Sequence, residues 1–434
     1  MKAPKILTKD GASFVLPFVL VTSCFALWGF ANDITNPMVA AFSRIFRMSV
    51  TDGTLVQVAF YGGYFAMALP AALFIRRYSF KAGVLMGLGL YAVGCFLFFP
   101  ARLTGNYYPF LIAYFILTCG LSFLETSCNP YILSMGDEST ATRRLNLAQA
   151  FNPMGSLCGM FVAMNFIQAR INPMTAADRA QLSDEQFEAV KQSDLGILIA
   201  PYLFIGLVIL CIFLLILFCR VPRVQPNVSA GQTVRKTFSR LFRLPRYREG
   251  VIAQFFYVGV QIMCWTFIIQ YGTRIFVAQG MSEASAAVLS QRYNIVAMVC
   301  FCISRFVCTF LLKYIHPGKL LAVLASVAIV LCALVVVFQD VRGLYCLVAV
   351  SVCMSLMFPT IYGIALTGLG EDAKIGSAGL IMAILGGSIL PLLQARIIDM
   401  DTVFGWPAVN VSFIVPLCCF LVIVAYGLRT RSYR

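Results

Sequence analysis

From Gly11 to Asn32 the chain runs through twenty-two residues without a charge, and long apolar stretches like it recur along all 434 residues. A membrane-spanning helix needs about 20 mostly apolar residues. Twelve segments meet that length, near 14–43, 53–75, 82–100, 108–134, 145–168, 197–219, 250–272, 287–312, 320–338, 344–369, 376–398 and 407–428. A soluble domain of this size has too little interior to hide a sequence that is 60% hydrophobic and only 12% charged. The pattern predicts an all-α integral membrane protein whose solvent is mostly lipid. No cleavable signal peptide is expected, because the first apolar run lacks a small-residue cleavage site and continues into polar sequence.

The polar breaks are short except at 169–196, which is acidic and helix-prone, and at 220–249, which contains "RKTFSRLFRLPRYREG" and falls near the midpoint. Twelve spans thus divide into two pseudo-symmetric six-helix bundles, 1–219 and 250–434, joined by the linker 220–249. A weak repeat supports related halves, since "CFALWGF" in span one is similar to "IMCWTFI" in span seven. With the N-terminus inside, 22 of the 33 Lys and Arg residues fall in inner loops and 10 in outer ones, which places both termini in the cytoplasm. The formal charge of +15 therefore reads as topology rather than as a nucleic-acid surface, and the basic linker is expected along the inner leaflet. The 16 cysteines lie mostly within apolar runs without ligand spacing, and His316 is the single histidine, so small buried hydrophobes are expected rather than disulfides or a metal site.

Three charges sit at membrane depth: Asp33 in span one, Glu125 in span four and Arg305 in span eight. A charge near the bilayer centre costs about 2.5–3.5 kcal/mol on insertion scales, so such residues face a cavity or a partner. Glu125, in "GLSFLETSCNPYI", is well inside its span, with Asn129 one turn on and Pro130 removing a backbone donor. Asp33, in "LWGFANDITNP", has a less certain depth because its run is long; Asn36 shares its face and Pro37 predicts a kink. A carboxyl taken out of water favours its neutral form, which suits a proton carrier. The plainer reading is a structural hydrogen bond or an ion pair with Arg305. Arg305 does not lose its proton and is expected to orient or gate.

The remaining polar groups suit a sugar. Asn146, Gln149 and Asn152 recur at three-residue spacing on span five, and Gln254 and Gln261 share a face of span seven. Amides donate and accept at once, as hydroxyls do. Trp28 and Trp265 offer flat apolar faces to sugar C–H edges, and Trp406 reads as an interfacial residue. The alternative is that the amides join helices to each other and that the two tryptophans belong to an interfacial belt.

Several longer blocks resemble the L-fucose permeases of the fucose/hexose:proton symporter family, within the major facilitator superfamily: "GLSFLETSCNPYI", "RLNLAQAFNPMGS", "AQFFYVGVQIMCW", "QVAFYGGYFAMALPAALFIRRYSFKAG" and "GEDAKIGSAGLIMAILGGSILP". The resemblance runs in order from about Phe14 to span twelve. It implies the major facilitator fold, with a substrate site near the midplane between the halves, and proton-driven sugar import across a bacterial inner membrane. It matches the family's coupling glutamate to Glu125 and its amides to Gln149 and Asn152. Span one departs from the pattern: aligned without gaps, Asn36 occupies the family's aspartate position and Asp33 an asparagine position. The exchange keeps both groups on one face, displaced by about 4.5 Å, so Asp33 is expected to perform the acid's task from one turn earlier. The acid that usually precedes the basic pair after span two is also absent from "ALFIRRYSFKAG".

Proton-coupled L-fucose import by alternating access is therefore the leading expectation. Asp33 and Glu125 handle protons, and Trp28, Asn32, Asn36, Asn129, Gln149, Asn152, Gln261 and Trp265 bind sugar. A transporter of another hexose, galactose or glucose, comes second, and a non-transporting sugar sensor third. Nothing in the sequence has the form of a nucleophile–base pair, phosphate loop or metal cluster, so no enzyme, cofactor or metal is expected. The expected partners are a small sugar, protons and the lipid bilayer, with a monomeric chain and no nucleic acid.

Overall fold

The computed structural model describes residues 8–432 except 10–11, 36–37, 49–54, 169, 173, 175–178, 180, 219–233, 401 and 404. In chain order the helices are α1 Val15–Thr35, α2 Met38–Ile45, α3 Leu55–Arg77, α4 Phe80–Thr104, α5 Tyr108–Ser134, α6 Ala141–Gln149, α7 Phe151–Val162, α8 Asp184–Phe218 and α9 Val234–Arg243. Then follow α10 Pro245–Ala278, α11 Glu283–Leu311, α12 Pro317–Val337, α13 Val341–Met354, α14 Met357–Leu366, α15 Ala373–Met382, α16 Gly386–Ile398, α17 Ala408–Val411 and α18 Ile414–Thr430. Among the described residues the strands are two-residue pairs, one of them Thr402–Val403 antiparallel to Trp406–Pro407. Among the described residues, 12 helical segments are long and apolar enough to cross a membrane. Large apolar side chains such as Val58, Phe161, Phe204, Leu215 and Ile303 are exposed, as they must be on helices bathed in hydrocarbon.

The described residues of Asp10–Tyr131 and Phe151–Gln225 form one compact unit, and those of Ile132–Ala150 and Pro226–Arg434, with Met1–Lys9, form a second. The first unit is held by close backbone contact. Along α1 and α7, a Cβ on Gly155 would collide with the Ala26 carbonyl, one on Gly29 with the Asn152 carbonyl, and one on Gly159 would lie 2.6 Å from the Phe30 oxygen. Small residues let helices meet this closely, and polar side chains then bridge them: Asn152 Nδ2 donates to the Phe25 carbonyl at 3.2 Å and Ser156 Oγ to that of Gly29 at 3.3 Å. Behind them Phe98 stacks on Tyr202 at 4.3 Å, and the Tyr114 and Tyr202 hydroxyls meet at 2.7 Å. The acidic segment after span five does become helix from Asp184, and its Asp194 forms a buried pair with Arg179 at 2.6 Å.

Local chemistry sets several ends. Ser79 caps α4 by accepting from the Ala82 amide, and Gly105, at φ 62°, closes it in the left-handed region that glycine tolerates. His316 is a cap as well, accepting from the Gly318 amide ahead of Pro317. In the second unit the fully buried Arg144 donates to the Ile132 and Leu133 carbonyls, at 2.9 and 2.6 Å, and to Thr140 Oγ1 at 2.8 Å. Those carbonyls belong to the last turn of α5, where no intrahelical donor remains and a cation is favoured.

Five expected spans are not single helices: span five is divided between α6 and α7 and span twelve between α17 and α18, and three more are interrupted. Span one ends at Thr35 and a separate α2 follows, so the 14–43 run is shared between two helices. Span ten breaks at Ser355–Leu356, and span eleven passes through a 3₁₀ turn at Ala383–Leu385. The kink expected at Pro37 lies outside the described residues, as does Asn36. Among the described cysteines all are free; most are buried, while Cys158, Cys211 and Cys418 are exposed.

Candidate functional site

In the first unit Glu125 is the focus. It is 5% exposed, and its Oε2 is buried. Facing it from α3 is Tyr64, whose buried hydroxyl interacts with the Glu125 carboxyl. The surroundings are rigid: Ser122 Oγ donates to the Tyr64 carbonyl at 3.0 Å, and a Cβ on Gly63 would lie 2.8 Å from Thr118. Asn129 is fully buried and spends one amide proton on the Glu125 carbonyl at 2.9 Å. Burying an ionised carboxylate is costly. The arrangement suits an acid that takes up a proton and yields it when water returns.

Asp33 lies two residues from the end of α1, half-buried, and its charge is felt at Tyr61 on α3. Asn32 is half-buried beside it, while Trp28 is 3% exposed with its ring 4.2 Å from that of Phe25. Tyr61 and Tyr64 were not singled out from sequence. The signal was there, two tyrosines three residues apart around "GG" in span two, but a tyrosine in an apolar helix reads as packing until an acid is seen opposite.

In the second unit Arg305 organises the site. It is 3% exposed; its Nε donates to the Ser355 carbonyl and one terminal nitrogen to the Gln149 carbonyl at 2.9 Å. Both carbonyls stand four residues before a proline, Pro359 and Pro153. Proline has no N–H, so each oxygen is deprived of its helical donor and remains available. The guanidinium also covers the Phe301 ring at 4.6 Å, and Trp265 meets the same ring edge-on at 5.0 Å while its indole N–H donates to Ser351 Oγ at 3.2 Å. Arg305 is therefore held by carbonyls and an aromatic face. Gln149 is buried, Gln261 and Trp265 are half-buried, and Asn146 bonds to Thr360 Oγ1 at 3.1 Å. Gln254 is fully buried with both amide atoms unpartnered.

The structure thus gathers Trp28, Asn32, Asp33, Glu125, Asn129 and Asn152 in one unit, and Gln149, Gln261, Trp265 and Arg305 in the other. Asn152 has one amide proton committed to joining helices.

The Major Facilitator Superfamily model matches residues 21–391. The chain belongs to the major facilitator superfamily. A protein of Haemophilus influenzae named L-fucose-proton symporter is 51% identical over 98% of both chains. A protein of Brucella abortus named glucose/galactose transporter is 32% identical over 97% of this chain and 95% of its own. Among solved structures, a variant of the Escherichia coli fucose:proton symporter FucP superposes with a TM-score of 0.87 at 34% identity, covering 98% of this chain and all of that one. This major facilitator protein is a multi-pass membrane protein, and its relatives are transporters rather than enzymes.

Proposed function

We propose that this chain imports L-fucose together with protons, by alternating access. The observation that carries the reading is the 51% identity over nearly the whole length to a named L-fucose-proton symporter, together with the buried carboxyl of Glu125 facing Tyr64. Glu125 takes the proton and Asp33 assists from the end of α1. Trp28, Asn32, Asn36, Asn129, Gln149, Asn152, Gln261 and Trp265 supply the amides and flat faces that bind sugar. Arg305 fixes the backbone that carries Gln149. The moving halves are residues 1–219 and 250–434 with the linker 220–249, in a monomer whose termini face the cytoplasm of a cell bounded by this inner membrane. Protonation of the acids removes charge from the cavity, lowers the cost of closing it and ties closure to loaded sugar.

Adding L-fucose to de-energised cells that express the protein alkalinises the medium as protons enter with sugar. Uptake of labelled sugar without that pH change rejects symport. A second reading, transport of glucose or galactose, is favoured by the 32% identity to the Brucella relative. A panel of unlabelled sugars competing against labelled L-fucose decides between them.

A further inference from the structure

The linker helix α9 carries a surface that the transport reading does not use. Thr237 and Leu241 are buried, so the helix is docked through one face. Lys236, Arg240 and Arg243, at i, i+4 and i+7, form a second face, and all three are exposed. Phe242 and Leu244 are 45% and 40% exposed, with Phe242 braced edge-on by Tyr247 at 5.9 Å. Nearby acids are already engaged, Asp372 by Arg240 and Glu249 by Arg429. Lys236, Arg243 and Arg248 have no ion-pair partner among the described residues, and all are exposed.

The place of the helix in the chain fixes its depth. One residue, Leu244, separates it from α10, whose charged first turns end at Glu249. Arg243 is therefore within about 10 Å of the first uncharged turn of a spanning helix. That distance is comparable to the polar layer of a bilayer, where an apolar side chain can reach the acyl boundary while a cation beside it meets phosphate. We infer that α9 and the start of α10 form a docking surface for a membrane leaflet rich in anionic phospholipid, with Phe242 and Leu244 entering the interface and Lys236, Arg243 and Arg248 contacting lipid phosphates. Each such cation contributes about fivefold to binding near an anionic surface, whereas the pairs at Asp372 and Glu249 stop carboxylates from cancelling it.

The test is amide hydrogen exchange on the full chain in lipid nanodiscs of phosphatidylcholine alone or mixed with phosphatidylglycerol. Exchange across 234–248 slows at least tenfold in the anionic discs. The difference disappears at high salt, which screens the cations, and in Lys236→Gln/Arg243→Gln/Arg248→Gln. Equal exchange in the two lipids, or equal protection by inorganic phosphate in phosphatidylcholine discs, overturns the inference. The salt arm needs no variant, so misfolding of the triple substitution leaves the test intact.

Discussion

Glu125→Gln gives the sharpest test of coupling. The amide keeps the size of the acid and abolishes its charge change, leaving a site that behaves as permanently neutral. Each proton carried inward on a carboxyl adds about 2.3 kcal/mol of driving force per 100 mV of membrane potential. At tenfold per 1.4 kcal/mol, one coupled proton supports roughly 50-fold accumulation of sugar at 100 mV, and two support roughly 2,000-fold. Glu125 is buried and Asp33 half-buried in one unit, so the plateau counts how many of the two take part. The assay is uptake of labelled L-fucose into proteoliposomes held at 100 mV by a potassium diffusion potential. Glu125→Gln falls to an inside-to-outside ratio of one while exchange of labelled for unlabelled sugar continues. Asp33→Asn lowers the plateau to the one-proton level or below. Uphill accumulation by Glu125→Gln refutes the assignment of coupling to that carboxyl, and a normal plateau in Asp33→Asn refutes the one-turn exchange with Asn36.

Arg305→Lys keeps the charge but cannot span the Ser355 and Gln149 carbonyls; losing one charge-assisted hydrogen bond lowers stability by about 1.5–3 kcal/mol and weakens sugar binding, read by thermal unfolding and equilibrium binding in detergent. Gly155→Ala forces a methyl onto the Ala26 carbonyl and costs at least about 1–3 kcal/mol, whereas Gly62→Ala, with nothing within 4 Å, leaves the melting midpoint unchanged. Tyr64→Phe removes the hydroxyl opposite Glu125 and slows proton-coupled uptake severalfold while sugar exchange persists; an unaltered uptake rate separates the tyrosine from coupling.

The spans were legible because burial in lipid imposes one rule along the whole chain, a run of apolar residues long enough to satisfy its own backbone. Glu125 and Arg305 were legible for the same reason, as charges that break the rule. What Arg305 touches was not. Pro153 and Pro359 announce free carbonyls in sequence, yet nothing local says that one guanidinium on α11 collects both. The division of the Gly11–Ser43 run into α1 and α2 was hidden similarly, because hydropathy does not register a helix boundary within an apolar run. Tyr64 was missed because its role depends on the acid across from it rather than on its neighbours in sequence.

The seam of α1 and α7 has a mechanical consequence. With Gly29, Gly155 and Gly159 pressed against opposing carbonyls, neither helix can slide by even a methyl's width past the other. The two must travel as one piece. Asp33 on α1 and Asn152 on α7 therefore keep a constant separation throughout the transport cycle, and a ruler placed between them would record no stroke. Any rearrangement that lets the sugar sense proton release has to come from helices outside this welded pair.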